Sequence, residues 1–289
     1  TGLVTDVGSV KSGITAAIDD PRFVGGHPMA GSELDGFDGA DASMFEGAVW
    51  VLTPSAATAD STFSQVAAVV AELGADVVAL PADRHDQVVA VISHVPHLAA
   101  ATLMGLASDR AEEHAALLRL AAGGFRDMTR IASGHPSIWL DICAENRPAI
   151  LSALALVLVS IIVLKVVPAF SDFYASFGAE LPLVTRIIVS VSDVIRGQWL
   201  LIVIGLLATV AVFVLWIQRP GQKARFDRVI LGVPVMGLVA RKFATSQMAR
   251  TLSTLLGGGL PLVNALDIAA KSVGNQFMAR ELEVVGGRV

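Results

Sequence analysis

The stretch "AVWVLTPSAATADSTFSQVAAVVAELGADVVALP" (residues 48–81) decides the fold of the first half of the chain. Its ends, "AVWVLTPS" (48–55) and "ADVVALP" (75–81), are short β-rich runs stopped by proline. Between them, "STFSQVAAVVAELG" (61–74) sets apolar residues at helical spacing, with Ser and Thr at its start and a closing glycine. Strand, helix and strand in that order predict β–α–β, the unit of a doubly wound sheet. Upstream, "GLVTDVGSVK" (2–11) reads as a further strand running into Asp6, Gly8 and Ser9. Downstream of His85 the pattern turns helical, with Ala-rich periodic stretches at 86–106 and 109–122 and another around 137–150.

Composition then divides the chain. At 289 residues it is long enough for two domains, and a mean hydropathy of +0.65 with 16% charged residues is too apolar for an ordinary soluble protein. The net charge of -5 hides an asymmetry. Residues 1–150 hold 8 Lys and Arg against 19 Asp and Glu, or -11, while residues 151–289 hold 13 against 7, or +6. All six histidines also precede residue 150, so a join is expected near there. The basic residues form no stripe interleaved with aromatics, which argues against nucleic acid. A single cysteine, Cys143, excludes an internal disulfide or a cysteine metal cluster and reads as a small buried apolar residue.

Chemistry concentrates in the first part. "GGHPMAGSE" (25–33) sets His27 on what reads as a tight turn, with Gly25 and Gly26 allowing close backbone approach, Pro28 stiffening the chain and Ser32 offering a hydroxyl. From these residues alone, a histidine aimed at a ligand and one satisfied by backbone are equally good readings. His94 and His97, three apart, would share a helix face, but no third ligand is suggested and no metal site is expected. Arg126 reads equally as a solvated charge or as a ligand, and His114 and His135 read as surface residues. No Gly-x-Gly-x-x-Gly follows a strand, so the phosphate-binding turn of a dinucleotide fold is absent from these residues.

Five stretches taken together carry a resemblance: "VTDVGSVK" (4–11), "GGHPMAGSE", "HDQVVAVISHVPH" (85–97), "GGFRDMTRIA" (123–132) and "SIWLDICAENR" (137–147). In this order and spacing, residues 1 to about 150 resemble prephenate dehydrogenase. That resemblance implies oxidative decarboxylation of prephenate to 4-hydroxyphenylpyruvate on the way to tyrosine, with hydride passing to NAD or NADP. It implies His27 and Ser9 as catalytic residues, His27 hydrogen-bonding the substrate's ring hydroxyl and Ser9 bridging histidine, substrate and nicotinamide. Arg130 would hold a substrate carboxylate, Asp127 would pair with basic groups at the entrance, and Ser32, His85, His97 and Trp139 would bind substrate. Asp6, Gly8 and Ser9 would lie at the cofactor. Two departures stand out: the first β–α–β with its glycine-rich turn is missing, so very poor cofactor affinity and an inactive chain are expected. The helices that follow the tryptophan-containing segment are replaced, leaving in question the homodimer that the family's helical domain implies.

The second part is membrane-like. "AILSALALVLVSIIVL" (149–164) has sixteen residues without a charge, and "WLLIVIGLLATVAVFVLWI" (199–217) has nineteen, bounded by Trp199 and Trp216. Two transmembrane helices are expected, about 149–168 and 199–217. Arg219, Lys223, Arg225 and Arg228 follow the second, while the intervening loop carries Asp172, Glu180 and Asp193 against Arg186 and Arg196. The loop should face outward and the tail the cytoplasm. Beyond residue 228 the chain reads as amphipathic helices, clearest at 245–259 and 262–273, without a catalytic arrangement.

"VVPAFSDFYASFGAELPLVTRIIVSVSD" (166–193) and "GVPVMGLVARKFATSQMARTLSTLLGGGLPLVNALDIA" (232–269) resemble the inner-membrane platform protein of type II secretion and type IV pilus machines. That family implies an assembly ATPase and pilin subunits as partners and no catalytic residue. The expected architecture is thus a chimera of two truncated proteins. It has a remnant of a doubly wound α/β nucleotide-binding domain (1–82), an all-α dehydrogenase domain (83–150), two spans with an outward loop (151–228) and a partial cytoplasmic helical repeat (229–289). Its expected place is the inner membrane, with the enzyme-like part and the tail in the cytoplasm. A non-enzymatic platform is the alternative reading.

Overall fold

The computed structural model describes residues 2–286 except 33, 35, 112–115, 117, 118, 177–182, 220 and 235, so His114, Glu180 and the middle of the stretch 109–122 lie outside the described residues. The chain forms two compact units, residues 1–150 with 224–289, and residues 151–223.

The first unit is built on a four-stranded sheet: β1 (Val4–Thr5), β2 (Phe23–Pro28), β3 (Val49–Thr53) and β4 (Asp76–Ala79), adjacent in that order. Strands β3 and β4 are parallel, with Val49 opposite Asp76 and Leu52 opposite Ala79. Helix α2 (Asp60–Glu72) connects them, which is the β–α–β unit read from residues 48–81. Its Phe63, Val66, Ala67 and Val70 are buried against Val24, Trp50 and Leu52. Phe63, with no exposed surface, alone contributes about 1.5–3 kcal/mol of hydrophobic stabilisation. Gly74, at φ +81°, ends the helix as the closing glycine predicts. The start differs from the expectation. Ala59 occupies the cap, and the Thr62 hydroxyl donates to the Pro21 carbonyl at 2.8 Å instead of capping the helix. The hydroxyl ties the helix to the segment before β2.

A second departure is β2 itself, which pairs antiparallel with β3 and parallel with β1. Gly25 to Pro28 read as part of a tight turn in the sequence, yet Phe23–Pro28 is a strand whose residues Phe23 through Gly26 are buried in the middle of the sheet. The strand expected over 2–11 pairs only through Val4 and Thr5, and α1 (Ser12–Ala17) follows it.

From Ala82 the chain is helical to Ala111: α3 (Ala82–Val89), one π-helical turn (Ala90–His94) and α4 (Val95–Ala111). The wide turn sits directly before Pro96, whose ring cannot join the regular i to i−4 ladder. After α5 (Gly123–Thr129), α6 (Pro136–Glu145) begins with His135 as cap and Pro136 in its first turn. Asn146, 3% exposed, separates α6 from α7 (Arg147–Ile161), so the helical stretch around 137–150 is two helices rather than one.

In the second unit α7 continues through a π-helical turn (Ile162–Val166) into α8 (Val167–Ser176). The 35-residue α9 (Leu183–Ile217) follows and breaks at Gln198, beside Gly197. The Ser192 hydroxyl of α9 donates to the Val163 carbonyl at 2.6 Å. Leu200, Leu201, Leu206 and Leu215 are all more than half exposed. Where two apolar spans were expected, three helices among the described residues are long and apolar enough to cross a membrane: Ala82–Ala111, Arg147–Phe170 and Gly197–Ile217.

The remaining helices, α10 (Gln222–Gly232), α11 (Met236–Gly257), α12 (Leu262–Ser272) and α13 (Gln276–Gly286), form the helical tail. Within the first unit α11 docks on α2. The Lys242 ammonium, 6% exposed as a residue, bonds the Thr58 carbonyl and reaches Asp60 Oδ1 at 2.9 Å.

Candidate functional site

The site begins at β2. His27, expected on a tight turn, instead stands in a strand, opposite Val51 of β3. The glycines before it serve the sheet. A Cβ on Gly26 would stand 2.5 Å from the Asp6 carbonyl oxygen and 2.9 Å from Thr5 Oγ1, and one on Gly25 would collide with Thr53 Oγ1. Side-chain-free positions let β2 lie this close to its neighbours. Gly26→Ala is therefore expected to cost about 1–3 kcal/mol by overpacking, seen as a lower denaturant midpoint. An unchanged midpoint would mean that β1 moves aside freely.

Hydrogen bonds run from His27 into the helical part. His27 Nδ1 meets His85 Nε2 at 2.8 Å, with the ring planes at 73°. His85 Nδ1 meets Asp86 Oδ1 at 2.8 Å, and both histidine-facing groups of α3 are buried, His85 at 1% and Asp86 at 4% exposure. The Asp86 carboxylate also accepts the backbone N–H groups of Lys11 and Ser12, each at 2.8 Å, and so occupies the N-terminus of α1. Lys11, fully buried, donates through its ammonium to Asp6 and, at 2.8 Å, to the Gly26 carbonyl. Asp6 in turn accepts the Gly26 N–H at 2.9 Å and the Gly8 N–H at 3.0 Å.

A second cluster adjoins the first. Asn146 donates to the Asp86 carbonyl at 2.8 Å and lies 3.1 Å from His94 Nδ1. Trp139 stacks flat on His97, with ring centroids 3.3 Å apart, and meets His94 edge-on. The buried Nδ1 of His97 has no hydrogen-bond partner among the described residues.

Burial pushes the His27 imidazole down to about 4, with His85, Lys11 and His94 adding to the shift and Asp6 opposing it. His27 is therefore neutral near pH 7. Burial alone would raise Asp86, but the hydrogen bonds from His85, Ser12 and Lys11 outweigh it and hold the carboxyl below its usual range. Burial lowers Lys11, and the Asp6 and Asp86 carboxylates oppose the shift.

Of the residues singled out in the sequence, His27 and His85 meet directly, as do His97 and Trp139. Ser9 and Gly8 follow β1, and the half-buried Ser9 hydroxyl makes no hydrogen bond among the described residues. Asp127 and Arg130 are exposed and line one groove with Met104, Phe125 and Arg126. Ser32 stands apart: its Oγ accepts the Leu34 N–H at 3.1 Å, and it lines a recess of the loop after β2. His135 is exposed and accepts the Ser137 N–H at 3.3 Å, and Cys143 is half-buried. Sequence reasoning missed Lys11, Asp86 and Asn146. Only the adjacency of Asp86 to His85 hinted at any of them.

Gly8 is exposed and Ser9 half-buried, so both are accessible to a nicotinamide, although the Asp6 carboxylate is already engaged by Gly8, Gly26 and Lys11. For the pyrophosphate there is no fit. The N-terminus of α1 is taken by Asp86, and among the described residues no strand runs into a Gly-x-Gly-x-x-Gly turn.

Comparison with known proteins finds two kinds of relative. Residues 1–79 match the nucleotide-binding domain of prephenate dehydrogenase, and residues 81–165 match its dimerization domain. Prephenate dehydrogenase of Bacillus subtilis is 40% identical over 154 residues, 52% of this chain and 42% of that protein. The structure of prephenate dehydrogenase from A. aeolicus in complex with hydroxyphenyl propionate and NAD+ superposes with a TM-score of 0.54 at 33% identity, covering 59% of this chain and 60% of that one. Type IV pilus assembly protein TapC of Aeromonas hydrophila is 38% identical over 146 residues, 48% of this chain and 35% of that protein. The chain thus spans less than half the length of either of these two relatives, and it joins parts of two families.

Proposed function

We propose that residues 1–150 are the catalytic part of a prephenate dehydrogenase, converting prephenate to 4-hydroxyphenylpyruvate with NAD or NADP as hydride acceptor. The observation that carries this reading is the neutral His27, hydrogen-bonded through His85 to Asp86, in a region that matches both domains of that family. A bound dinucleotide would supply the electrophilic nicotinamide that takes hydride from the ring carbon bearing the hydroxyl, and the ring carboxylate would leave as CO2, its bonding electrons completing the aromatic ring. His27 accepts the proton of the ring hydroxyl as that hydride departs, which a neutral imidazole can do. Ser9, at the nicotinamide end with Gly8 and Asp6, bridges the hydroxyl to the cofactor. Arg130 holds a substrate carboxylate with its planar fork, and Asp127 orders the basic groups at the entrance. His97 and its stacked Trp139 form the wall against the ring, with His85 behind His27 and Ser32 at the far side.

In this reading two of the three long apolar helices span the membrane, Arg147–Phe170 and Gly197–Ile217. The second has no residue of its apolar window buried within the protein, and Trp199 and Trp216 stand at its ends. Ala82–Ala111 does not span. It carries His85, Asp86, His94 and His97 into the site, and ionisable groups of that density belong in a protein interior. The basic residues after Ile217 favour an inner-membrane protein with the enzyme-like part and tail in the cytoplasm and the loop outside. A homodimer would form through the helical domain. The match of the second half to pilus assembly proteins supports a second reading, a non-enzymatic platform that meets an assembly ATPase and pilins.

The two readings separate in one experiment. Residues 1–289, which contain no Gly-x-Gly-x-x-Gly turn after a strand, are expected to bind hydroxyphenyl propionate yet reduce no nicotinamide. Joining a strand and Gly-x-Gly-x-x-Gly turn upstream of β1 should then give prephenate-dependent reduction of NAD or NADP. No reduction in a folded, joined protein would sink the enzyme reading and leave the platform.

A further inference from the structure

The direction of each hydrogen bond between His27 and Asp86 follows from the atoms involved. Asp86, ionised, can only accept, so the 2.8 Å contact requires that His85 carry its proton on Nδ1. With that one ring proton on Nδ1, His85 has only a lone pair on Nε2. The 2.8 Å contact to His27 Nδ1 then requires the proton to sit on His27 Nδ1. That leaves His27 Nε2 as a lone pair, the form that can accept a proton. A reversed chain, with His27 protonated on Nε2, would make the same ring a donor at that atom.

We propose that Asp86 and His85 are positioning residues that set the tautomer of His27, so that its Nε2 faces the site as an acceptor. The geometry explains why so much structure converges on one carboxylate. The two backbone N–H groups at the start of α1 hold both oxygens of Asp86. Asn146, beyond the end of α6, holds its carbonyl. Lys11 and Asp6 fix the Gly26 carbonyl and N–H, the peptide groups immediately before His27. The strand carrying the acceptor and the helix carrying the relay are thus locked to each other through α1. The tautomer stands on these two contacts with an ionised Asp86 and one ring proton on His85, while its consequence for turnover rests on the proposed dehydrogenase function.

The test needs neither substrate nor cofactor. The full chain in detergent micelles, labelled with 15N only in histidine, reports through two-bond proton–nitrogen correlations which nitrogen of each ring is protonated. The His27 signal is assigned by its loss in His27→Gln. Near neutral pH the parent is expected to show His27 with Nδ1 protonated and Nε2 bare. Asp86→Asn and His85→Leu should each shift His27 toward the Nε2–H form that free imidazole prefers. His85→Gln, whose amide oxygen can still accept from Nδ1, should keep the parental form. If Asp86→Asn does not fold, the two His85 variants decide alone. A parent with His27 protonated on Nε2, or a His85→Leu chain with the parental tautomer, overturns the proposal. A chain that shows the expected tautomers but never reduces nicotinamide, even with the dinucleotide segment joined, would leave the relay standing and sink only the enzyme function.

Discussion

Replacing His27 with alanine is expected to lower kcat about 1,000-fold while leaving KM nearly unchanged, in the chain given an upstream dinucleotide-binding segment. The imidazole acts on a proton that moves only as hydride leaves, so its loss falls on the transition state and spares ground-state binding. In the proposed function substrate is instead gripped by Arg130 and by the stacked His97 and Trp139, which the substitution does not touch. The parent should also show an acid limb in kcat/KM. Burial pushes His27 down to about 4, so its acceptor form persists from neutral pH until the pH falls through that value, and activity is lost below it. Equal turnover in the alanine variant and the parent would refute the role. An acid limb near the ordinary histidine range would instead show that the ring is solvated during catalysis.

Removing the Asp6 carboxylate is expected to destabilise the sheet by about 3–5 kcal/mol, because it strands a buried ammonium. Lys11 has no exposed side-chain surface, and its remaining partner is the Gly26 carbonyl. Asp6→Ala also frees the Gly26 and Gly8 N–H groups that the carboxylate accepts. Amide hydrogen exchange at Gly26 should accelerate in step with the lost stability. Asp6→Ala combined with Lys11→Met should recover part of the loss, since no charge is then left unpaired. A single variant as protected as the parent would mean that water reaches Lys11 and that the pair contributes little.

Both effects concern residues that were visible in the sequence for different reasons. His27, Ser9, Arg130 and Trp139 came from stretches whose order and spacing resemble a known enzyme, and such a resemblance transmits residue identity without geometry. It therefore named His85 as a pocket residue but left unstated that His85 hydrogen-bonds His27, and it passed over Asp86, Lys11 and Asn146. Asp86 lies 75 residues from Lys11, and Asn146 lies 60 from Asp86. No periodicity connects positions so far apart.

The sequence by itself determined what is local. The β–α–β unit at 48–81, the glycine that ends α2 and the apolar runs behind α7 and α9 all depend on residues within a few turns of each other. Only the tertiary structure decided that residues 23–28 form a strand, because Gly25, Gly26 and Pro28 carry turn signals that the neighbouring β1 and β3 override. The same register sets His27 opposite Val51, and a slip of one residue would turn the imidazole to the other face of the sheet. Likewise Lys242 meets the start of α2 from 182 residues away, and Thr62 holds Pro21 instead of capping its own helix. In each case a polar group was claimed by a partner distant in the chain, and hydrogen-bond satisfaction in a packed interior outweighed the local preference.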